Sequence, residues 1–304
     1  MRVVILYNPV AGAGRAAGVA PGLRDVLHDA GHEPRLVETR LDPQKRWLDP
    51  QAAEAEVLLV LGGDGAVRLA SGAAGRTGTP LYHYPMGTEN LFAREFGYSR
   101  SRERLLLALQ RREIRHLDLG IANHRKFLMM ASMGFDAEVI YDLTRRRGAS
   151  ISHLTYIAPI VRRFIRWEAP TISVRLDGET IVDRAAGCVV VGNSRQYAMR
   201  FDPALRASMT DGRLDVVFFP ARTRLELAGW ALACRRRRHL QRPGLIYRLG
   251  REVELMSDES VRYQLDGDVP ESDAPDPEDA AVEEGASNLV RISLRPGVLP
   301  ILIP

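Results

Sequence analysis

Cysteine is nearly absent from the 304 residues: only Cys188 and Cys234 occur, far apart in sequence. Two distant thiols exclude a disulfide framework and a four-thiolate zinc site, and they fit a reducing compartment. Long apolar runs are missing too. No stretch approaches the ~20 residues that a membrane span needs, and the apolar run at the N-terminus is too short for a signal peptide and reads as a first strand. The chain therefore reads as cytoplasmic, soluble or peripheral to a membrane. Aromatic residues are not interleaved with the basic block Arg235, Arg236, Arg237, Arg238 and His239, which argues against nucleic acid as a partner. What is present is a 45% apolar fraction, enough for sizeable cores, and a length that at roughly 150 residues per domain implies two domains. The net charge of +4 is unevenly placed, since Glu271 to Glu284 carries seven acidic residues and no basic one. Such a balance suits anionic partners without naming them.

The chain is organised around Leu58 to Ala70, LLVLGGDGAVRLA. A strand-length apolar run meets Gly62-Gly63-Asp64-Gly65 and then a helical segment. Backbone N–H groups at such a junction converge on one spot, a ready site for phosphate, and glycine lets a ligand approach closely. Asp64 there repels phosphate unless a cation intervenes, so the pattern suggests a metal-bridged nucleotide. A tight strand-to-helix turn with Asp64 as a helix cap fits equally well.

Residues 1 to about 117 alternate strand and helix. Strands are predicted at Val3–Tyr7, Pro34–Val37, Val57–Leu61 and Leu81–Tyr84. Helices are predicted after the glycine-rich loop Asn8–Gly14, with Leu23, Val26, Leu27 and Ala30 on one face and Gly31 ending it, and at Leu91–Phe96 and Ser101–Arg111, with Ser99 or Ser101 as a cap. Alternation of this kind implies a doubly wound parallel sheet with ligands at the carboxyl ends of its strands. Three loops fall there: Asn8–Gly14, Gly62–Gly65 and Pro85–Asn90. After Leu117 strands dominate, with a hairpin turn at Asn123-His124, helices at Phe135–Arg145, His153–Trp167 and Leu225–Leu240, and a second hairpin signal at Asp177-Gly178. This is the pattern of an antiparallel sandwich. Pro270 to Asn288 has almost nothing to bury and is predicted to be a disordered acidic loop.

Seven motifs in order now carry a resemblance. They are Asn8-Pro9 with its glycines, Gly62-Gly63-Asp64-Gly65, Pro85-Met86-Gly87-Thr88-Glu89-Asn90 with Ala93-Arg94, and Leu117-Asp118-Leu119-Gly120. Gly134-Phe135-Asp136-Ala137, Asp211-Gly212-Arg213-Leu214-Asp215 and Leu265-Asp266-Gly267-Asp268 complete the set. Over nearly the whole chain the sequence resembles the diacylglycerol kinase catalytic family, bacterial lipid kinases that are also similar to sphingosine kinases and, more distantly, to NAD kinases.

The resemblance implies an N-terminal α/β nucleotide domain (1–118, with 291–304 returning to it) and a β-sandwich lipid-substrate domain (119–290) across a cleft. It implies transfer of the γ-phosphoryl of ATP, with Mg²⁺, to a lipid hydroxyl, diacylglycerol before others. Asn8, Gly62, Gly63, Asp64, Gly65, Gly87, Thr88, Asn90 and Arg94 are the implied nucleotide-site residues. Helix capping is the alternative for Thr88 and Asn90, and a surface ion pair for Arg94. Asp266 is the implied general base, against an ordinary hairpin turn. Asp268 stands where the family has Glu and is the implied Mg²⁺ ligand, with Asp64 and Asp118 as supporting carboxylates. The Asp211 and Asp215 pair resembles a structural metal region of some relatives. Arg235, Arg236, Arg237 and Arg238 suit docking on an anionic membrane or a solvated helix end. A homodimer is compatible with the sequence. Ala66, Leu69 and Leu91 replace a hydroxyl and two carboxylates of the family pattern, which keeps a catalytically weakened nucleotide- or lipid-binding regulator as an alternative. NAD kinase is a further one, opposed by the Pro85–Arg94 and Leu265–Asp268 motifs.

Overall fold

The computed structural model describes residues 1–10, 14–40, 44–144, 153–258, 261–270 and 288–304, and only the backbone of 153–156. Ala11, Gly12 and Ala13 of the first glycine loop, the side chain of Tyr156 and the acidic stretch 271–287 lie outside the described residues. The chain divides into two compact units, Met1–Leu117 with Gly297–Pro304, and Asp118–Pro296.

The first unit runs β1 (Arg2–Tyr7), α1 (Arg15–Asp29), β2 (Glu33–Glu38), α2 (Gln44–Glu54), β3 (Val57–Gly62), α3 (Asp64–Thr77), β4 (Leu81–Pro85), α4 (Leu91–Phe96) and α5 (Arg102–Arg111). Every residue of β3 and β4 is buried. A strand covered on both faces needs a continuous apolar run rather than an alternating one. The strands pair in parallel in the order β2-β1-β3-β4. The chain crosses from one side of β1 to the other between β2 and β3. This switch point, at the carboxyl ends of β1 and β3, is where open α/β sheets receive ligands. On α1, Leu23 and Leu27 are fully buried, Val26 is half-buried and Ala30 is exposed. Gly31 follows with φ of 80°. Ser101 is the cap of α5, its hydroxyl accepting from the Arg104 N–H. Sequence reading passes over α2 because its buried positions are few (Trp47, Leu48, Ala52) and Pro50 lies inside it.

The second unit contains β5 (Ile114–Ala122, its first residues in the first unit), β6 (Arg125–Phe127), β7 (Met130–Met133), α6 (Phe135–Thr144) and α7 (His153–Ile165). It continues with β8 (Thr171–Leu176), β9 (Glu179–Gly192), β10 (Leu214–Pro220), α8 (Arg224–Arg235), β11 (Ile246–Gly250), β12 (Glu252–Ser257), β13 (Tyr263–Leu265) and the start of β14 (Leu289–Leu302). The first half of β9 pairs with β8, and its second half pairs with β10 and β7. It thus passes from one layer to the other at Gly187, where a Cβ would lie 2.3 Å from the Phe219 carbonyl oxygen. One layer gives Ile172, Val174, Val253, Leu255, Val290 and Ile292 to the core. The other gives Met133, Val189, Val191, Val216, Phe218 and Leu265. This is a two-layer antiparallel sandwich. Both hairpin signals hold, since Asn123, His124, Asp177 and Gly178 all have positive φ, as tight two-residue hairpins require.

The end of β14 belongs to the first unit. Ile301 pairs in parallel with Leu81 of β4. The Tyr98 hydroxyl donates to the Leu302 carbonyl, and the Ile303 N–H to the Glu113 carbonyl. Leu299, Ile301 and Leu302 are buried.

Candidate active site

In the first unit the loops after β3 and β4 touch backbone to backbone. A Cβ on Gly87 would sit 2.7 Å from the Gly63 Cα, and one on Gly63 would sit 3.1 Å from the Gly87 Cα. These two glycines are therefore needed for each other, before any ligand is considered. Two side chains lock the contact. Asn90, at φ 48°, folds back on Gly87, accepting from its N–H at 2.8 Å and donating to its carbonyl at 2.7 Å. Asp64 reaches from the first turn of α3 to the first turn of α4, accepting the Leu91 and Phe92 N–H groups at 3.0 Å each. Such a cap contributes about 1 kcal/mol. Asp64 is thus a helix cap, of the neighbouring helix.

Beneath the loops, His83 of β4 is fully buried. Its Nε2–H donates to the Gly62 carbonyl at 2.9 Å, and the same carbonyl accepts the Met86 N–H at 2.7 Å. Burial, the largest influence, pushes the imidazole below its ordinary pKa, so the ring is neutral. No sequence signal marks His83 as the support of this turn.

The N-terminus of α3 itself has no side-chain cap: Gly63 holds the cap position, and its carbonyl accepts from Ala66 and Val67. Around Gly65 there is open space, with nothing within 4 Å of an added Cβ. First-turn N–H groups left without a side-chain cap make an anion site. Asn8 accepts the Val10 N–H at 3.1 Å, shaping the end of β1. Thr88 is exposed. Arg94 lies 3.5 Å from Glu89, the ion pair allowed for it by the sequence. Leu91 is buried as the first residue of α4.

In the second unit Asp266 and Gly267 are the two central residues of a tight hairpin turn, with φ of 52° and 85°, and Leu265 and Asp268 exchange backbone bonds across it. The Asp266 carboxylate accepts the N–H groups of Leu128, Met129 and Met130 at 2.7, 2.8 and 3.0 Å. These three backbone N–H groups fix its position. Gln264, buried, accepts the Gly267 N–H at 2.7 Å and donates to Ser132 Oγ at 2.6 Å. Ser132 and Tyr197 both donate to Asp136. This network gives the Gly134–Ala137 motif its structural role: it supports the Asp266 turn. Nothing in the sequence links Ser132, Gln264 and Tyr197.

Asp118 is buried and accepts the Gly212 N–H at 2.7 Å. It anchors the turn in which Asp211 accepts from the Arg213 N–H. Asp215 is fully buried against the Tyr247 hydroxyl, and burial raises its pKa to about 6. Asp64 falls in the first unit, whereas Asp118, Asp266 and Asp268 fall in the second. Among the described residues no three His, Cys, Asp or Glu side chains form a metal cluster.

A doubly wound unit with paired glycine loops is thus followed in the chain by an antiparallel sandwich carrying a backbone-bonded aspartate. Residues 2–122 match the diacylglycerol kinase catalytic domain, and residues 129–302 match the YegS C-terminal NAD kinase beta sandwich-like domain. The chain belongs to this family of diacylglycerol kinase-like lipid kinases. It is 24% identical over 275 residues to a diacylglycerol kinase of Bacillus subtilis, with 88% of this chain and 89% of that protein covered. It is 25% identical over 169 residues to a Synechocystis sp. protein, but that match spans 56% of this chain and only 39% of the relative. The fold is that of a solved diacylglycerol kinase from Bacillus anthracis str. Sterne, with a TM-score of 0.65, 16% identity, and 100% of this chain and 97% of that one covered.

Proposed function

We propose that this enzyme transfers the γ-phosphoryl of ATP to the hydroxyl of a membrane lipid, diacylglycerol before others. The observation that carries the reading is the α3 N-terminus without a side-chain cap, opening at Gly65 beside the sheet's switch point. Phosphoryl transfer needs positioning and charge neutralisation more than covalent chemistry. In this reading the N–H groups of the first turn of α3 take phosphate oxygens. Gly62, Gly63, Gly87, Asp64 and Asn90 hold the loops in shape, and Asn8, Thr88 and Arg94 border the nucleotide. Asp266 orients the lipid hydroxyl and accepts its proton.

Magnesium takes oxygen ligands and commonly one or two carboxylates, with water and phosphate completing its shell. Asp268 is such a donor at the exit of the hairpin turn. The Asp64 and Asp118 carboxylates are engaged by backbone N–H groups. In this reading Asp268 would hold the ion, which would neutralise phosphate charge when bound.

Purified protein supplied with labelled ATP, Mg²⁺ and diacylglycerol in mixed micelles should label the lipid, and NAD offered in its place should stay unlabelled. Chelation of the metal should stop transfer. Labelled NAD would overturn the lipid reading. ATP binding without transfer to any lipid hydroxyl in a panel would make the protein a nucleotide-binding regulator instead.

A further inference from the structure

Helix α7 buries Pro159 and half-buries Ile160 and Phe164, yet it turns its arginines inward and a stripe of its apolar residues outward. A helix at a protein surface turns apolar residues to the core and charges outward. Here the arginines turn inward onto α6. Arg163 bonds Asp142 at 3.0 Å and lies 2.7 Å from Glu138, and Arg162 lies 3.9 Å from Asp142. Facing outward at i, i+4 and i+8 are Ile157, Val161 and Ile165, which are 52%, 49% and 61% exposed. The helix contains no Asp or Glu.

At its C-terminal end α7 meets the start of α8. The Arg224 guanidinium donates to the Ile165 carbonyl at 3.1 Å, and the Trp167 indole N–H donates to the Ala221 carbonyl at 3.4 Å. This brings Leu225, 84% exposed, to the end of the stripe. Arg166, Arg222 and Arg224 are exposed around it. The nearby Glu226 is turned back onto the Arg222 and Thr223 N–H groups as half of a capping box, which leaves Glu168 as the other carboxylate in this stretch. A branched apolar stripe with an arginine fringe matches a lipid interface: the side chains enter the acyl boundary and the cations meet anionic headgroups.

We propose that α7, together with Leu225, docks this chain on an anionic bilayer surface. Ile157, Val161 and Ile165 insert, and Arg166, Arg222 and Arg224 contact lipid phosphates. The reading gives the proposed lipid kinase its route to a membrane-borne substrate, and rests on that function for its purpose only. Docking is therefore at the opposite end of α8 from Arg235–Arg238, where Arg237 pairs with the buried Asp202 at 2.9 Å.

The test is flotation of the full chain with vesicles of phosphatidylglycerol and phosphatidylcholine, or of phosphatidylcholine alone, without nucleotide. The wild type should float with the anionic vesicles. Combined Ile157→Gln, Val161→Gln and Ile165→Gln should weaken this by roughly tenfold or more, as expected for loss of buried apolar area, with an unchanged melting curve. Arg166→Gln with Arg224→Gln should lower binding to anionic vesicles and leave phosphatidylcholine binding as it was. Equal flotation of wild type and triple variant would overturn the proposal. So would a dimer that dissociates in the triple variant without any change in flotation, because a second copy would then cover the face. A protein that floats as described but phosphorylates no lipid would refute the kinase reading and leave docking intact.

Discussion

His83 shows how one buried side chain ties the Gly62 turn to solution pH. Its imidazole is buried neutral under the Gly62 carbonyl and its pKa is lowered from 6.5. The unfolded chain takes up a proton near the ordinary value, while the folded chain resists until lower pH. The stability that neutral His83 supports is therefore fully present above 6.5 and is lost as pH falls from there through the folded value. A single site gives a slope of up to about 1.4 kcal/mol per pH unit. His239 and His32 are also lowered by burial and form a background that a His83 variant leaves in place. His83→Gln keeps an N–H to offer Gly62 and removes the titration. Urea denaturation at pH values between about 7.5 and 5 should show a shallower acid loss in the variant. Parallel curves would mean that His83 is protonated in the folded state.

The elements that make the site are two short loops, and their mutual fit decides what each glycine tolerates. Gly87→Ala places a methyl 2.7 Å from the Gly63 Cα and 2.9 Å from Asn90 Oδ1, and should cost about 1–3 kcal/mol by overpacking. Gly65→Ala meets nothing within 4 Å and should leave stability within about 0.5 kcal/mol. Under the proposed function its methyl enters the phosphate space, so ATP affinity should fall while the denaturation midpoint holds. Unchanged affinity would move the phosphates away from Gly65. The sequence made β1 and β3 legible, because buried parallel strands need unbroken apolar runs, and it made the loops legible through their glycines. It did not reveal that Asp64 caps α4, because the partner N–H groups lie in another element. The half-exposed β11 carries too weak an alternation to read. The single strand β9 reads as two segments because the exposed Asp183 and Arg184 interrupt its apolar residues. The Ser132, Asp136, Gln264 and Tyr197 network comes from three separate stretches, and no local pattern announces it.

At the scale of the molecule, the first unit is closed by residues from the far end of the chain. Deleting Gly297–Pro304 would remove the Leu81 partner strand, the acceptor of the Tyr98 hydroxyl and three buried leucine or isoleucine side chains. At roughly 2 kcal/mol for each such side chain, the loss is about 6 kcal/mol. That is much of a typical domain's total stability of about 5–15 kcal/mol. Calorimetry of the deletion should show the first unit melting far below its position in the full chain, and coincident melts would mean that β14 is dispensable there. The same strand also sets a clock on biosynthesis. A ribosome adds about 5–20 residues per second, and the whole of Asp118–Pro296 is made between Leu117 and Gly297. The nascent first unit therefore waits on the order of ten seconds or more with the β4 edge of its sheet unfilled. An open strand edge invites pairing with other chains. Its yield in a cell then depends on how well that interval is chaperoned.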